Sequence, residues 1–442
     1  MGRNSANAFM MPSRRQFSVD VVDLMVIGNG IAGMTAALET VRLAPHLRVA
    51  VATDQGYPTV NKPAFKKYAT GQISANQLLV YHKEQEWTRA IAAINGSVKY
   101  IEAEHHAVGF ADNSWIGYRA LVIATGSNAI ELPASCPGRE LDGVITLHHL
   151  EDYYELRRRM SEVRRAVVIG GGIQAMETAL GLVHQGIRVF WLIRSTFMSG
   201  LLDAAASKLA LSHVREPGLS IATHTGITAI LGRAGRVAAV ITNDGKQLPC
   251  ELVLPCIGTA PEITLANRST IPLQTQNGII VDDALRTNAP DIYAIGDVAS
   301  IRHPQKDSYE PRRTWSEAAL QGHMVASYLS GQSRGSAGLG VPWNSTRIGE
   351  QWLQTVGDAL TERHDCATYI YAKQGYRRIV MKGKRLIGYL YLGNTPTDSQ
   401  AIKRIIDEGI PIASVHPLLY SHFDARAYLM QWQSRQIRGH LR

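Results

Sequence analysis

Twice in this chain an apolar strand runs straight into a glycine-rich turn and then a helix, and that repetition constrains the fold more than any other feature. The first copy is Leu24-Met25-Val26-Ile27 entering Gly28-Asn29-Gly30-Ile31-Ala32-Gly33, with a helix predicted over 34–43 and a strand over 48–52. The second, about 140 residues on, is Ala166-Val167-Val168-Ile169 entering Gly170-Gly171-Gly172-Ile173-Gln174-Ala175, with a helix through Val183 and a strand over 188–193. In such a unit the first glycine permits the tight turn, the second lets backbone approach a diphosphate, and the third lets helix and strand pack closely. The anion then rests on the free N–H groups of the helix N-terminus. Asp54, about 20 residues past Gly33, stands where an acid bonds a ribose hydroxyl. Gly28, Gly30, Ala32, Gly33 and Asp54 are thus expected at one dinucleotide, and Gly170, Gly172 and Ala175 at a second. The expected class is α/β: two Rossmann-like dinucleotide-binding domains, the first interrupted by the second, plus a small α+β C-terminal domain.

With 442 residues there is room for about three domains, each able to bury a core without staples. No stretch approaches the roughly 18 uninterrupted apolar residues of a membrane helix. The expected boundaries are a flexible tail over 1–17, the first nucleotide domain over 18–150 and 271–331, and the second over 151–270. A Ser/Gly-rich linker (Gln332 to Gly338) leads to the small domain over 341–412, with strands over 369–372, 377–381 and 386–392 and a helix over 399–408. A basic tail over 413–442 (Arg426, Arg435, Arg438, His440, Arg442) reads as a solvated terminus. Ser13-Arg14-Arg15-Gln16-Phe17 is similar to the start of a twin-arginine export signal, but Asp20 and Asp23 break the apolar stretch behind it, and a cytoplasmic protein is expected.

Lys and Arg total 46 against 37 Asp and Glu, and the net charge of +9 favours acidic partners. No zinc-finger spacing, RNA-binding aromatic signature or long basic block accompanies it, so nucleic acid is not indicated; Arg157 to Arg159, Arg164 and Arg165 read as one solvated helix face. Cys136, Cys250, Cys256 and Cys366 form no CxxC and no metal-like cluster, and are expected as reduced, buried thiols.

Two further stretches are informative. Leu121-Val122-Ile123-Ala124-Thr125-Gly126 is a strand ending in small residues, and Asp291-Ile292-Tyr293-Ala294-Ile295-Gly296-Asp297 is a strand ending in an acid. Together with the glycine motifs they resemble the ATG and GD motifs of the two-dinucleotide flavoprotein reductases. The resemblance implies FAD lying over Ala124, Thr125 and Gly126, its ribityl chain bound near Gly296 and Asp297. Pro58-Thr59-Val60-Asn61-Lys62-Pro63-Ala64-Phe65-Lys66-Lys67-Tyr68 narrows it to the ferredoxin, rubredoxin and nitrite reductase branch, which lacks the redox disulfide. That branch implies Lys62 at the cofactor and Lys67 paired with Glu177 beside the flavin, where a lysine stabilises the reduced anionic ring. Trp315 matches an aromatic lying by the flavin, and Arg313 stands where relatives commonly carry an acid.

In the second unit no acid occurs between Glu177 and Asp203, and the strand ends Leu192-Ile193-Arg194-Ser195. Arg194 can pair with a 2′-phosphate that an acid would repel, so NADPH is expected, with NADH as the alternative. Gly258, in Cys256 to Glu262, resembles the segment that closes the nucleotide domain, and Tyr376 to Asn394 is similar to the matching stretch of the nitrite and rubredoxin reductases. The expected activity is an FAD-dependent NAD(P)H oxidoreductase, with hydride passing to FAD and electrons onward to an acidic ferredoxin or rubredoxin. Two alternatives are a flavoenzyme that reduces or oxygenates a small organic substrate directly, and a redox-sensing scaffold of the apoptosis-inducing-factor type. No metal and no membrane partner are expected, and the oligomeric state, a homodimer included, is left open.

Overall fold

The computed structural model describes residues 21–81, 90–332, 338–373, 375–420 and 423–440. The N-terminal tail with its twin-arginine-like stretch, the linker core at 333–337, and Arg442 lie outside the described residues, as do the side chains of Arg438 and His440.

β1 (Val21–Ile27) pairs in parallel with β2 (Val49–Thr53) on one side and β3 (Trp115–Ile123) on the other, within a seven-stranded sheet. The late strand Ile292–Ala294 joins the same sheet beside the C-terminal half of β3. This explains why β1 reads as a continuous apolar run: a parallel strand is covered on both faces, and Leu24 to Ile27 are all buried. α1 (Ile31–Leu43) follows the first glycine turn. The second unit is a four-stranded parallel sheet containing β4 (Arg165–Ile169) and β5 (Arg188–Ile193), with α2 (Ile173–His184) after its own turn.

α3 (Trp315–Leu329) crosses α1 closely because both helices present small residues there. A Cβ on Gly322 would stand 2.6 Å from the Ala32 carbonyl oxygen, and one on Gly296 3.0 Å from the Ala32 Cβ. Ala32 therefore serves the fold as a spacer between the first glycine turn and the Gly296–Asp297 turn.

The C-terminal part is a five-stranded antiparallel sheet. Its hairpin from Tyr376–Lys382 to Arg385–Gly393 turns at Gly383, whose φ of +59° glycine adopts without strain. Two strands at Trp343–Ile348 and Gln351–Gly357 were not legible in the sequence, where polar residues interrupt the alternation.

The terminal residues correct the expectation of a solvated tail. Leu418, Leu419, Ala425 and Leu429 are buried in the C-terminal core, and α4 (Ala425–His440) packs against the helix Ser399–Asp407. The apolar positions recur at helical spacing and outweigh the basic count. Arg426 is held by Asp398 at 3.0 Å. The basic cluster at 157–159 is likewise tied in: Arg157 donates to the Tyr68 carbonyl at 3.1 Å, Arg158 pairs with Glu155 at 2.7 Å and Arg159 pairs with Glu155 and Asp142, although Arg157 and Arg158 both remain exposed. No helix among the described residues is long and apolar enough to cross a membrane.

Candidate functional site

The first glycine turn is built by close approach. Gly28 takes φ +109°, and a Cβ there would lie 2.3 Å from the Ala124 carbonyl oxygen; one on Gly33 would lie 2.2 Å from the Gly28 oxygen. Gly30 differs: its φ is −68°, it caps α1, and a Cβ would meet nothing within 4 Å. The space in front of Gly30 is the cradle that a diphosphate needs at a helix N-terminus.

That cradle opens into a cavity of about 300 Å³. Its wall takes in Gly30 and Ala32, Ala124 and Gly126, Lys62, Gly296 and Asp297, and Trp315, so segments far apart in sequence meet there. Asp54 is exposed just past the end of β2, its carboxylate accepting from the Ser97 hydroxyl at 3.0 Å. Thr125 faces away, donating to the Glu262 carbonyl at 3.0 Å. That bond and the antiparallel pairing of Ser127–Ala129 with Thr259–Pro261, next to Gly258, stitch the two nucleotide units together.

Burial raises the Asp297 carboxyl above its ordinary range; the Ser127 hydroxyl, 3.0 Å away, and the charges of Arg313 and Lys62 oppose that rise. Burial lowers Lys62 in turn, against the pull of Asp297. His148 also lines the cavity. Burial, then the charge of Lys62, brings it down to about 4, although its ring donates to the Ser127 carbonyl, so at neutral pH it is uncharged. Gln321, fully buried, accepts the Gly296 N–H at 2.7 Å and fixes that turn. Ser127 directly follows the Ala124-Thr125-Gly126 stretch and was within reach of the sequence reading; nothing in the sequence marked His148 or Gln321.

One expected pairing moves by a residue. Lys66, not Lys67, contacts the Glu177 carboxylate, and Lys66 lines the cavity while Lys67 is exposed. The short helix Phe65–Ala69 is the reason, since successive residues on a helix point about 100° apart and Phe65 and Tyr68 take the buried face. We expect Lys66→Met to slow flavin reduction by NAD(P)H by about tenfold or more and Lys67→Met to stay within about twofold, read by stopped flow. The reverse ranking would restore Lys67. Trp315 opens α3 behind a Thr314 cap, half-buried at the cavity wall, and Arg313 is exposed beside it.

At the second turn a Cβ on Gly170 would lie 2.0 Å from the Cys256 oxygen, Ala175 is fully buried, and Gly172 caps α2 with open space before it. Arg194 is exposed immediately beyond β5. The next acid, Asp203, is occupied elsewhere: it caps the helix Ala204–Ser212 and holds the Tyr376 hydroxyl. Burial pushes the Cys250 and Cys256 thiols up to about 12, so both stay protonated; Cys136 is buried as well, and Cys366 is partly exposed.

The residues present fit two dinucleotides: two open glycine-capped helix N-termini, a half-buried acid at one cavity, and that cavity walled from both units by Gly30 and Gln174. This arrangement defines a two-nucleotide oxidoreductase. Residues 22–322 match the family described as pyridine nucleotide-disulphide oxidoreductase, and the chain belongs to that family. It is an FAD-dependent NAD(P)H oxidoreductase. A rubredoxin-NAD(+) reductase of Ectopseudomonas oleovorans is 30% identical over 316 residues, covering 70% of this chain and 80% of that one. A nitrite reductase [NAD(P)H] of Bacillus subtilis (strain 168) is 25% identical over 407 residues, 89% of this chain but 49% of that protein's length. Among solved structures, the ferredoxin reductase for the CYP199A2 system from Rhodopseudomonas palustris superposes with a TM-score of 0.81 at 25% identity, covering 92% of this chain and 99% of the other.

Proposed function

We propose that this chain takes reducing equivalents from NADPH and delivers them, one electron at a time, to a small acidic carrier of the rubredoxin or ferredoxin type in the cytoplasm. The observation that carries this reading is a cavity walled by both nucleotide units, with Asp297, Lys62, Lys66 and Gln174 all in its lining. Bound FAD supplies a two-electron acceptor that releases electrons singly. The chain positions and tunes it. Gly30 and the N-terminus of α1 would receive the diphosphate, Asp297 would take the ribityl hydroxyls, and Lys66, held by Glu177, would place positive charge beside the ring. Trp315, half-buried in the cavity wall, would shield bound flavin from solvent. The net charge of +9 steers an acidic carrier, and the rubredoxin and ferredoxin reductases it resembles support that partner class.

The choice of NADPH rests on Arg194, exposed where an NAD-specific acid would stand. Anaerobic stopped flow with NADPH and NADH tests it. We expect both to bleach the flavin band, NADPH at roughly tenfold higher efficiency, and Arg194→Ala to remove the difference. A preference for NADH, or one that survives Arg194→Ala, sinks the assignment; no bleaching by either nucleotide sinks the electron-transfer reading itself.

A further inference from the structure

Beside the flavin cavity, sharing Arg313 and Thr314 with its wall, lies a second cavity of about 280 Å³ between the start of α3 and the C-terminal sheet. Two oppositely charged side chains line it without meeting. Arg312 is 3% exposed; its Nη2 donates to the Gly340 carbonyl at 2.9 Å, but Nε and Nη1 find no acceptor among the described residues. Glu317 is 7% exposed, and its carboxylate accepts no hydrogen bond from any described residue. Burial lowers Arg312 and raises Glu317, each opposed by the other's charge acting from a distance. Of the other charged groups nearby, Lys306 pairs with Asp358 at 3.1 Å and Asp407, which also faces Arg312, with Lys403 at 2.6 Å; Glu310 lies 3.5 Å from His303, which burial holds toward its neutral form, and Arg313 at the cavity wall is exposed.

Buried donors without acceptors and a buried carboxylate without donors are each unfavourable, and native proteins rarely leave them so. One small molecule relieves both when it offers an acceptor to Arg312 and a donor to Glu317. We propose that this cavity binds a small carboxylic acid bearing a hydroxyl or amino group, its carboxylate on Arg312 and its O–H or N–H on Glu317. At about 30 Å³ of liquid volume per water the space holds roughly nine waters, which sets the ligand at about ten non-hydrogen atoms or fewer. The site stands on these side chains alone and is separate from the choice of electron carrier. Its nearness to the flavin, through Arg313, makes the bound flavin a reporter of occupancy.

The test is titration of the flavin-loaded enzyme with glycolate, glycine and acetate up to about 50 mM, following the thermal midpoint and the flavin difference spectrum. Glycolate or glycine is expected to raise the midpoint and perturb the band saturably, with acetate, which lacks the donor, at least about tenfold weaker. Glu317→Gln should erase the gap between acetate and the other two, and Arg312→Gln should abolish all three responses. No saturable response to any probe in the unmodified enzyme overturns the proposal and leaves water as the occupant. A response unchanged in Arg312→Gln, or acetate binding as tightly as glycolate, also overturns it. Should Arg312→Gln fail to fold, the wild-type and Glu317→Gln titrations still decide. Every readout is binding, so failure of the electron-transfer reading would show separately, in the nucleotide bleaching.

Discussion

Gly30→Val yields a stably folded chain that no longer holds FAD, whereas Gly28→Ala, a smaller change two residues away, destabilises the fold. The difference follows from what each added side chain meets. At Gly30 the backbone is extended (φ −68°, ψ 176°), a β-branched residue adopts it readily, and nothing of the protein lies within 4 Å of the new Cβ. The methyls enter the space a diphosphate must occupy, so the affinity for FAD should fall by at least about a hundredfold, near 3 kcal/mol. The apo chain should melt within a few degrees of the apo wild type. At Gly28 the φ of +109° is strained for any L side chain, and the Cβ meets the Ala124 carbonyl oxygen at 2.3 Å. Strain plus overpacking of about 3–5 kcal/mol lowers the melting temperature by roughly 10 °C or more. Flavin content after purification and circular-dichroism melts measure both. A yellow Gly30→Val protein would overturn the placement of the diphosphate.

The same logic at the second turn separates the two nucleotides. Gly172→Val, again at an exposed and open helix cap, should leave a yellow, stably folded protein whose flavin is bleached by NADPH at least about a hundredfold less efficiently. Photoreduction, which bypasses the nicotinamide, should still bleach it normally. Unaltered bleaching by NADPH in Gly172→Val would mean that the nucleotide approaches by another route.

Between them these variants probe what was legible in the chain and what was not. The two glycine turns and the strands that enter them were readable because each depends on local backbone geometry: a tight turn, a close approach, a helix N-terminus; the role expected of Asp297 came instead from the resemblance of its motif. The hairpin around Gly383 was readable for the same reason. Lys66 was misassigned to its neighbour because a pattern of spaced residues fixes which residues are near, but only the rotation of a five-residue helix, set by the burial of Phe65 and Tyr68, decides which lysine turns inward. The helical terminus was misjudged because its charge was conspicuous and the burial of Leu418, Leu419 and Leu429 depends on a sheet more than 20 residues earlier in the chain.

By itself, then, the sequence determined that this chain carries two nucleotide-binding turns and the chemistry they serve, since those signals are written in consecutive residues. Tertiary structure alone decided that His148 lines the cavity proposed for the flavin, that Gln321 braces its Gly296 turn, and that Arg312 and Glu317 face one cavity without touching. Such meetings depend on how separate elements pack, and packing brings together residues that no local spacing relates.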